Sequence, residues 1–170
     1  MSLIHPFRAL RPPVEKVAEV ASVPYDVVNT AEARALTSGK EWSFLHVSRP
    51  EIDLPDGVNL YGDEVYAKAA ENFARWQTAG ALQRDDEARL FVYRLVMGEH
   101  AQTGLVAGAA VDEYDNDTIK KHEKTRPDKE DDRARHIMTQ RAQTGPVFLT
   151  YRGRAEIDAL VEDDANRSAL

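Results

Sequence analysis

The chain has 170 residues, 42% of them apolar and 30% charged, with 29 acidic against 22 basic side chains, a net charge of −7 and no cysteine. That length and balance fit one soluble domain able to bury a core without staples, and the missing cysteines exclude disulfides, thiolate metal sites and a thiol nucleophile. The acidic excess argues against tracking nucleic acid by bulk electrostatics; no apolar run approaches the roughly 20 residues of a membrane helix, and with no signal-like start the expected location is cytoplasmic.

Residues 4–28, rich in Pro and Val, read as extended segments and loops with one short turn at Val14–Ala18, and Pro24-Tyr25-Asp26 reads as a fixed bend. Asn29, with Glu32 three residues on, predicts a capping box that opens a helix ending near Gly39. Trp42 to Val47 alternates enough to predict a strand. Arg49 to Gly57, with two prolines and several acids, reads as a surface loop. The strongest periodicity is Val65, Ala69, Phe73 and Trp76, joined by Tyr66 and Ala70. It predicts a helix from Asp63 to Ala79 that Gly80 closes and that packs on a sheet.

Leu90–Val96 and Gly104–Val111 are apolar runs of strand length around a polar turn with Gly98 and His100, which predicts an antiparallel hairpin. A second helix is expected to start with Thr125 as cap and Pro127 in its first turn and to run to about Gln143. It would present Lys129, Arg133, His136 and Gln140 as a polar stripe and bury Ala134, Ile137 and Met138. Val147–Tyr151 reads as a final strand, Ala155–Val161 as a short helix, and residues 162–170 as a loose acidic tail. The fold class expected is a single α+β domain, with a largely antiparallel, partly barrel-like sheet covered by helices.

The segment from Asp115 to Arg133 carries the most chemistry, because it sets paired acids, paired bases and a His-Glu dipeptide between two apolar stretches. A solvated helix face is the ordinary explanation of such a run. The mixture of types supports another. Lys120, Lys121, Arg126, Lys129 and Arg133 suit phosphate or carboxylate oxygens, while His122 and Glu123 suit proton transfer, Glu123 also magnesium. Asp115 and Asp117 begin like a calcium loop, but Lys120 stands where Gly is needed and Arg126 where a bidentate Glu must be. No phosphate-loop, dinucleotide or zinc-helix motif occurs. His46, followed by Arg49, is a secondary candidate, with a half-buried, hydrogen-bonded histidine as the plainer reading. Asp26 beside Pro24 would by default hold its own turn.

Ile119-Lys-Lys-His-Glu-Lys-Thr-Arg126, followed by Lys129 and Asp132-Arg133, resembles the signature of the DUF 1015 family. Ile4–Pro12, Val23–Val27, Phe44–Glu51 and Gly145–Leu149 resemble further family blocks in the family's order. The resemblance implies a relationship to the ParB and sulfiredoxin-like superfamily, some of whose members are nucleotide-dependent kinases of small molecules such as free serine. It also implies longer members whose second half carries a Gly-His-His-Arg type motif that these residues lack, and it makes Asp26 a candidate ligand for substrate or metal. The expected function is thus the amino-terminal portion of a nucleotide-dependent small-molecule kinase, incomplete for catalysis alone. It would use ATP or ADP with Mg, and its partners would be the carboxy-terminal half of the same protein or a second copy. The rivals are a ParB-like regulatory or nucleic-acid-binding module, which the charge disfavours, and a non-catalytic interaction domain.

Overall fold

The computed structural model describes residues 4–122 and 124–165. Its strands are β1 (Ile4–His5), β2 (Leu10–Arg11), β3 (Gln83–Arg84), β4 (Phe91–Met97), β5 (His100–Val106) and β6 (Gly108–Ala109). Its helices are α1 (Val17–Val20), α2 (Thr30–Thr37), α3 (Leu45–Ser48), α4 (Asp63–Thr78), α5 (Val111–Asp115), α6 (Pro127–Gln140) and α7 (Ala155–Ala165). The class is α+β with small antiparallel ladders, and no barrel closes among the described residues. No described helix is long and apolar enough to cross a membrane. The chain divides into two compact units, one of described residues 4–9, 84–122 and 147–165, the other of 10–83 and 124–146.

The second unit is mostly helical. Asn29 accepts from the Glu32 amide at 2.9 Å and the Glu32 carboxylate accepts from the Asn29 amide at 2.8 Å, so both arms of the expected capping box form. α4 buries Val65, Ala69, Phe73 and Trp76, as their spacing predicts, and Gly80 follows at φ 73°, a backbone that suits glycine. This face meets α3, α6 and a 3-10 turn at Pro50–Asp53, not the expected sheet. Trp76 is its centre, edge-on to Trp42 at 5.9 Å and Phe44 at 6.0 Å, with Val20, Val47, Phe73 and Leu82 around it.

Three local expectations in this unit fail for identifiable reasons. The strand at Trp42–Val47 is instead a turn leading into α3, closed by Ser48 Oγ donating to Phe44 O at 3.1 Å. Six residues are too few to separate a period of two from one of 3.6. The surface loop at Arg49–Gly57 contains a 3-10 turn with Pro50, Glu51 and Ile52 buried. Arg34 fixes it by donating to the carbonyls of Ile52 at 3.1 Å and Leu54 at 2.7 Å and by pairing with Asp56. Finally, α6 is capped at Arg126 and not Thr125, ends at Gln140 because Arg141 turns left-handed at φ 51°, and faces the other way round. Its buried residues are His136 and Gln140, whereas Ala134 and Met138 lie in solvent.

The first unit is built on the β4–β5 hairpin, paired from Phe91 with Val106 to Met97 with His100. His100 is therefore a strand residue and not part of the turn, and β6 leaves the ladder to pair with β1. α7 packs on both hairpin strands and runs past Val161 to Ala165, so Glu162 to Ala165 of the expected tail are helical; 166–170 lie outside the described residues. Val147–Tyr151 has the composition of a strand but pairs with none among the described residues.

Candidate functional site

The chemistry of the second unit gathers where α6 crosses α4 and where the Tyr25–Val27 3-10 turn meets both α6 and the residues after α3. Asp132 is at the centre. Its Oδ1 accepts from the Tyr66 hydroxyl at 2.8 Å, and its Oδ2 accepts from Arg133 Nε at 3.0 Å and Nη2 at 2.5 Å. One helical turn on, His136 places Nε2 3.9 Å from Asp132 Oδ1 and its ring edge-on to Tyr66 at 4.9 Å. The Arg133 guanidinium also lies over the Tyr25 ring, 4.3 Å from its centre.

These contacts explain why a polar face wins the interior of α6. Buried polar groups are tolerated when paired, and here carboxylate, guanidinium and phenol satisfy one another, while the competing apolar face offers only three side chains. Burial raises the Asp132 pKa, but hydrogen bonds from Arg133 and Tyr66 outweigh it and hold the carboxyl below its ordinary range. Tyr66, buried and donating to that carboxylate, is raised well above the ordinary phenol range. His136 is lowered to about 4, first by burial and then by the Arg133 charge, against the pull of Asp132. The histidine is neutral at pH 7, and the network holds one compensated pair of charges.

Arg49 is fixed in a comparable way. Its Nε is 2.8 Å from Glu51 Oε1 though not aligned for a hydrogen bond, while Nη2 donates to Thr30 Oγ1 at 3.1 Å and Nη1 to Tyr25 O at 3.4 Å. Tyr25 is thus held by two arginines, through its carbonyl by Arg49 and through its ring by Arg133. His46 has both ring nitrogens occupied, Nδ1 at 2.8 Å from Asp53 Oδ1 and Nε2 at 3.2 Å from Lys40 O. Asn72 donates to Asp53 Oδ2 and His46 O, both at 2.7 Å. Burial raises the Asp53 pKa, but these hydrogen bonds prevail and keep its carboxyl low. His46 is therefore the hydrogen-bonded structural histidine of the plainer reading.

The family model described as "Protein of unknown function (DUF1015)" matches residues 4–169. The chain belongs to the DUF1015 family. No curated protein and no solved structure matches it.

Within this DUF1015 chain the remaining sequence candidates divide by how far their donors and acceptors are spent. Arg126 is bidentate to Asp128, at 3.1 and 2.8 Å. Lys129 reaches the Tyr61 hydroxyl at 3.4 Å, and Lys121 pairs with Asp117 at 3.3 Å over the Tyr114 ring. Lys120 and His122 are exposed and, among the described residues, make no hydrogen bond or ion pair, and the same holds for Lys124. Asp26 is exposed and does not hold its own turn; its carboxylate has no partner among the described residues. Glu123, expected as base and metal ligand, lies outside the described residues. Among those described, no group of acids and histidines is placed to hold a metal ion.

Sequence reasoning passed over Tyr66, Glu51, Thr30 and the centring role of Asp132. Asp132 and His136 could have been noticed as an acid and a histidine four apart on a helix. Tyr66 gave no such signal, since a tyrosine within an apolar period reads as core and its partner is 66 residues away.

Proposed function

We propose that the chain is the amino-terminal portion of a nucleotide-dependent small-molecule kinase, a relative of the ParB and sulfiredoxin-like superfamily, with an amino acid such as serine as substrate and ATP or ADP with Mg as donor. The observation that carries this reading is the uncommitted cationic run at Lys120, His122 and Lys124, exposed and unpaired among the described residues immediately before α6, whose lysine and arginines are already engaged. Phosphoryl transfer asks mainly for positioned positive charge around the phosphates and for carboxylates that hold the metal and orient the hydroxyl. Lys120 and Lys124 are the phosphate-contacting groups in this reading, and Lys121 joins them only by leaving Asp117. His122 and Glu123 carry the proton or metal work, and Asp26 is kept by itself as a candidate ligand of substrate or metal. Arg126 and Lys129 contact phosphate only if they leave Asp128 and Tyr61. Arg133, Arg49 and His46 are positioning residues. The carboxy-terminal half of a longer family member completes the catalytic apparatus.

A thermal-shift screen of ATP, ADP and free amino acids with and without magnesium tests the proposal, since a ligand at 100 times its Kd adds about 2.7 kcal/mol of stability. The reading expects a magnesium-dependent shift with at least one nucleotide.

A second reading has its own support. The paired network of Asp132, Arg133 and Tyr66 suits a non-catalytic interaction domain, in which the signature residues serve stability alone. That reading expects no shift with any nucleotide. A ParB-like nucleic-acid-binding module would instead reveal itself by an affinity that falls steeply with salt.

A further inference from the structure

The first unit leaves open the two things that a β-sheet normally closes. β4 and β5 form a two-stranded ladder, and no third strand joins either outer edge among the described residues. α7 supplies the packing that a two-stranded ladder needs in water, without pairing its edges. β4, with the sequence Phe-Val-Tyr-Arg-Leu-Val-Met, contains neither the Lys nor the Pro that commonly guards an edge. Its outer half is uncovered on both faces: Tyr93, Leu95, Val96 and Met97 are 54–80% exposed. The same unit holds a segment of strand composition without a ladder. Val147, Phe148, Leu149 and Tyr151 are 47–75% exposed, and their backbone makes no hydrogen bond to another strand among the described residues.

We propose that a second copy of this chain covers this surface, the 147–151 segment of each copy adding to the open edge of β4 in the other. Each copy carries both donor and acceptor, so the exchange is reciprocal and closes as a twofold dimer instead of growing into a fibre. The areas agree with that assignment. Counted on one face only, Tyr93, Leu95 and Met97 of β4 with Val147, Leu149 and Tyr151 of the segment, each leaving on the order of 100 Å² in water, give roughly 600 Å² per copy, the lower end of what one partner contributes to a stable interface. The backbone groups of 93–97 and 147–151, which join no further strand among the described residues, gain partners in the same step. Added β-strand edges also explain why a segment of strand composition lacks a strand partner among the described residues of its own chain. This inference is independent of the proposed kinase activity.

Sedimentation of the intact chain from about 10 nM to 100 µM tests the proposal, since interfaces near this size dissociate at micromolar concentrations or below. A concentration-dependent dimer is expected. Phe148→Asp, at a side chain exposed in the single copy, should leave the circular dichroism spectrum unchanged and weaken dimerisation about ten-fold or more. Val96→Lys, on the receiving strand, should do the same. Two results overturn the proposal: a wild-type chain monomeric throughout that range, including the case in which another polypeptide covers the surface, or a dimer insensitive to both variants.

Discussion

At the scale of single residues, Arg133 decides between two accounts of the signature segment. Its guanidinium is spent on Asp132 and stacked on Tyr25, so its removal leaves a carboxylate only 11% exposed without its main partner. Arg133→Ala should therefore cost roughly 1.5–3 kcal/mol of stability in urea denaturation, the usual range for a charged hydrogen bond, and leave nucleotide affinity nearly unchanged. Loss of affinity without loss of stability would return Arg133 to the phosphate site.

His136 makes a prediction of opposite experimental character, in pH. Its folded pKa of about 4 is below the unfolded value of 6.5, so between those values the unfolded chain binds the proton that the folded chain refuses. Stability is full above pH 6.5, declines as pH falls toward 4, and loses nothing further from this group below that. The decline should total roughly 2–4 kcal/mol. Asp132 and Asp53, both lowered from 3.8, act in a second stage: they contribute stability above that value and lose it as pH falls through their folded pKa values. His136→Phe keeps an aromatic edge against Tyr66 and should flatten the first stage only, as read from urea midpoints between pH 7 and pH 4. An unchanged slope would show that His136 does not titrate as its surroundings require.

At the scale of elements, α4 is the one on which packing of the second unit rests. Phe73→Ala should cost roughly 3–5 kcal/mol, because the cavity would open beside Trp76, which is already fully enclosed. A near-neutral result would mean that α4 does not supply the core. This helix and α2 were legible in the sequence because long apolar periodicity and a capping box are local signals. The facing of α6 was not. Its polar side is buried only because Tyr66 and Asp132 meet, and a contact 66 residues apart leaves no periodic trace. α3 was misread for want of length. The buried Pro50–Ile52 turn was misread because the agent that orders it, Arg34, sits on another helix.

At the scale of the whole molecule, the candidate site was legible as a segment but not as a division of labour. The sequence points to 115–133 as one charged run, and the structure separates it into donors already spent, at Arg126, Lys129 and Arg133, and donors still available, at Lys120 and Lys124. No residue type distinguishes these two sets, since lysines and arginines pair or remain free according to which acid the fold brings near. The central claim is that the available set binds a nucleotide while the spent set holds the fold. Calorimetric titration of magnesium and ATP into the wild type, into Lys120→Ala/Lys124→Ala and into Arg133→Ala tests it most directly. The account predicts binding to the wild type, affinity weakened by roughly 3–6 kcal/mol in the lysine double variant, about 1.5–3 per charged contact, and near-wild-type affinity in the arginine variant while it remains folded. Absence of binding by the wild type, or binding that survives the lysine changes intact, would contradict it.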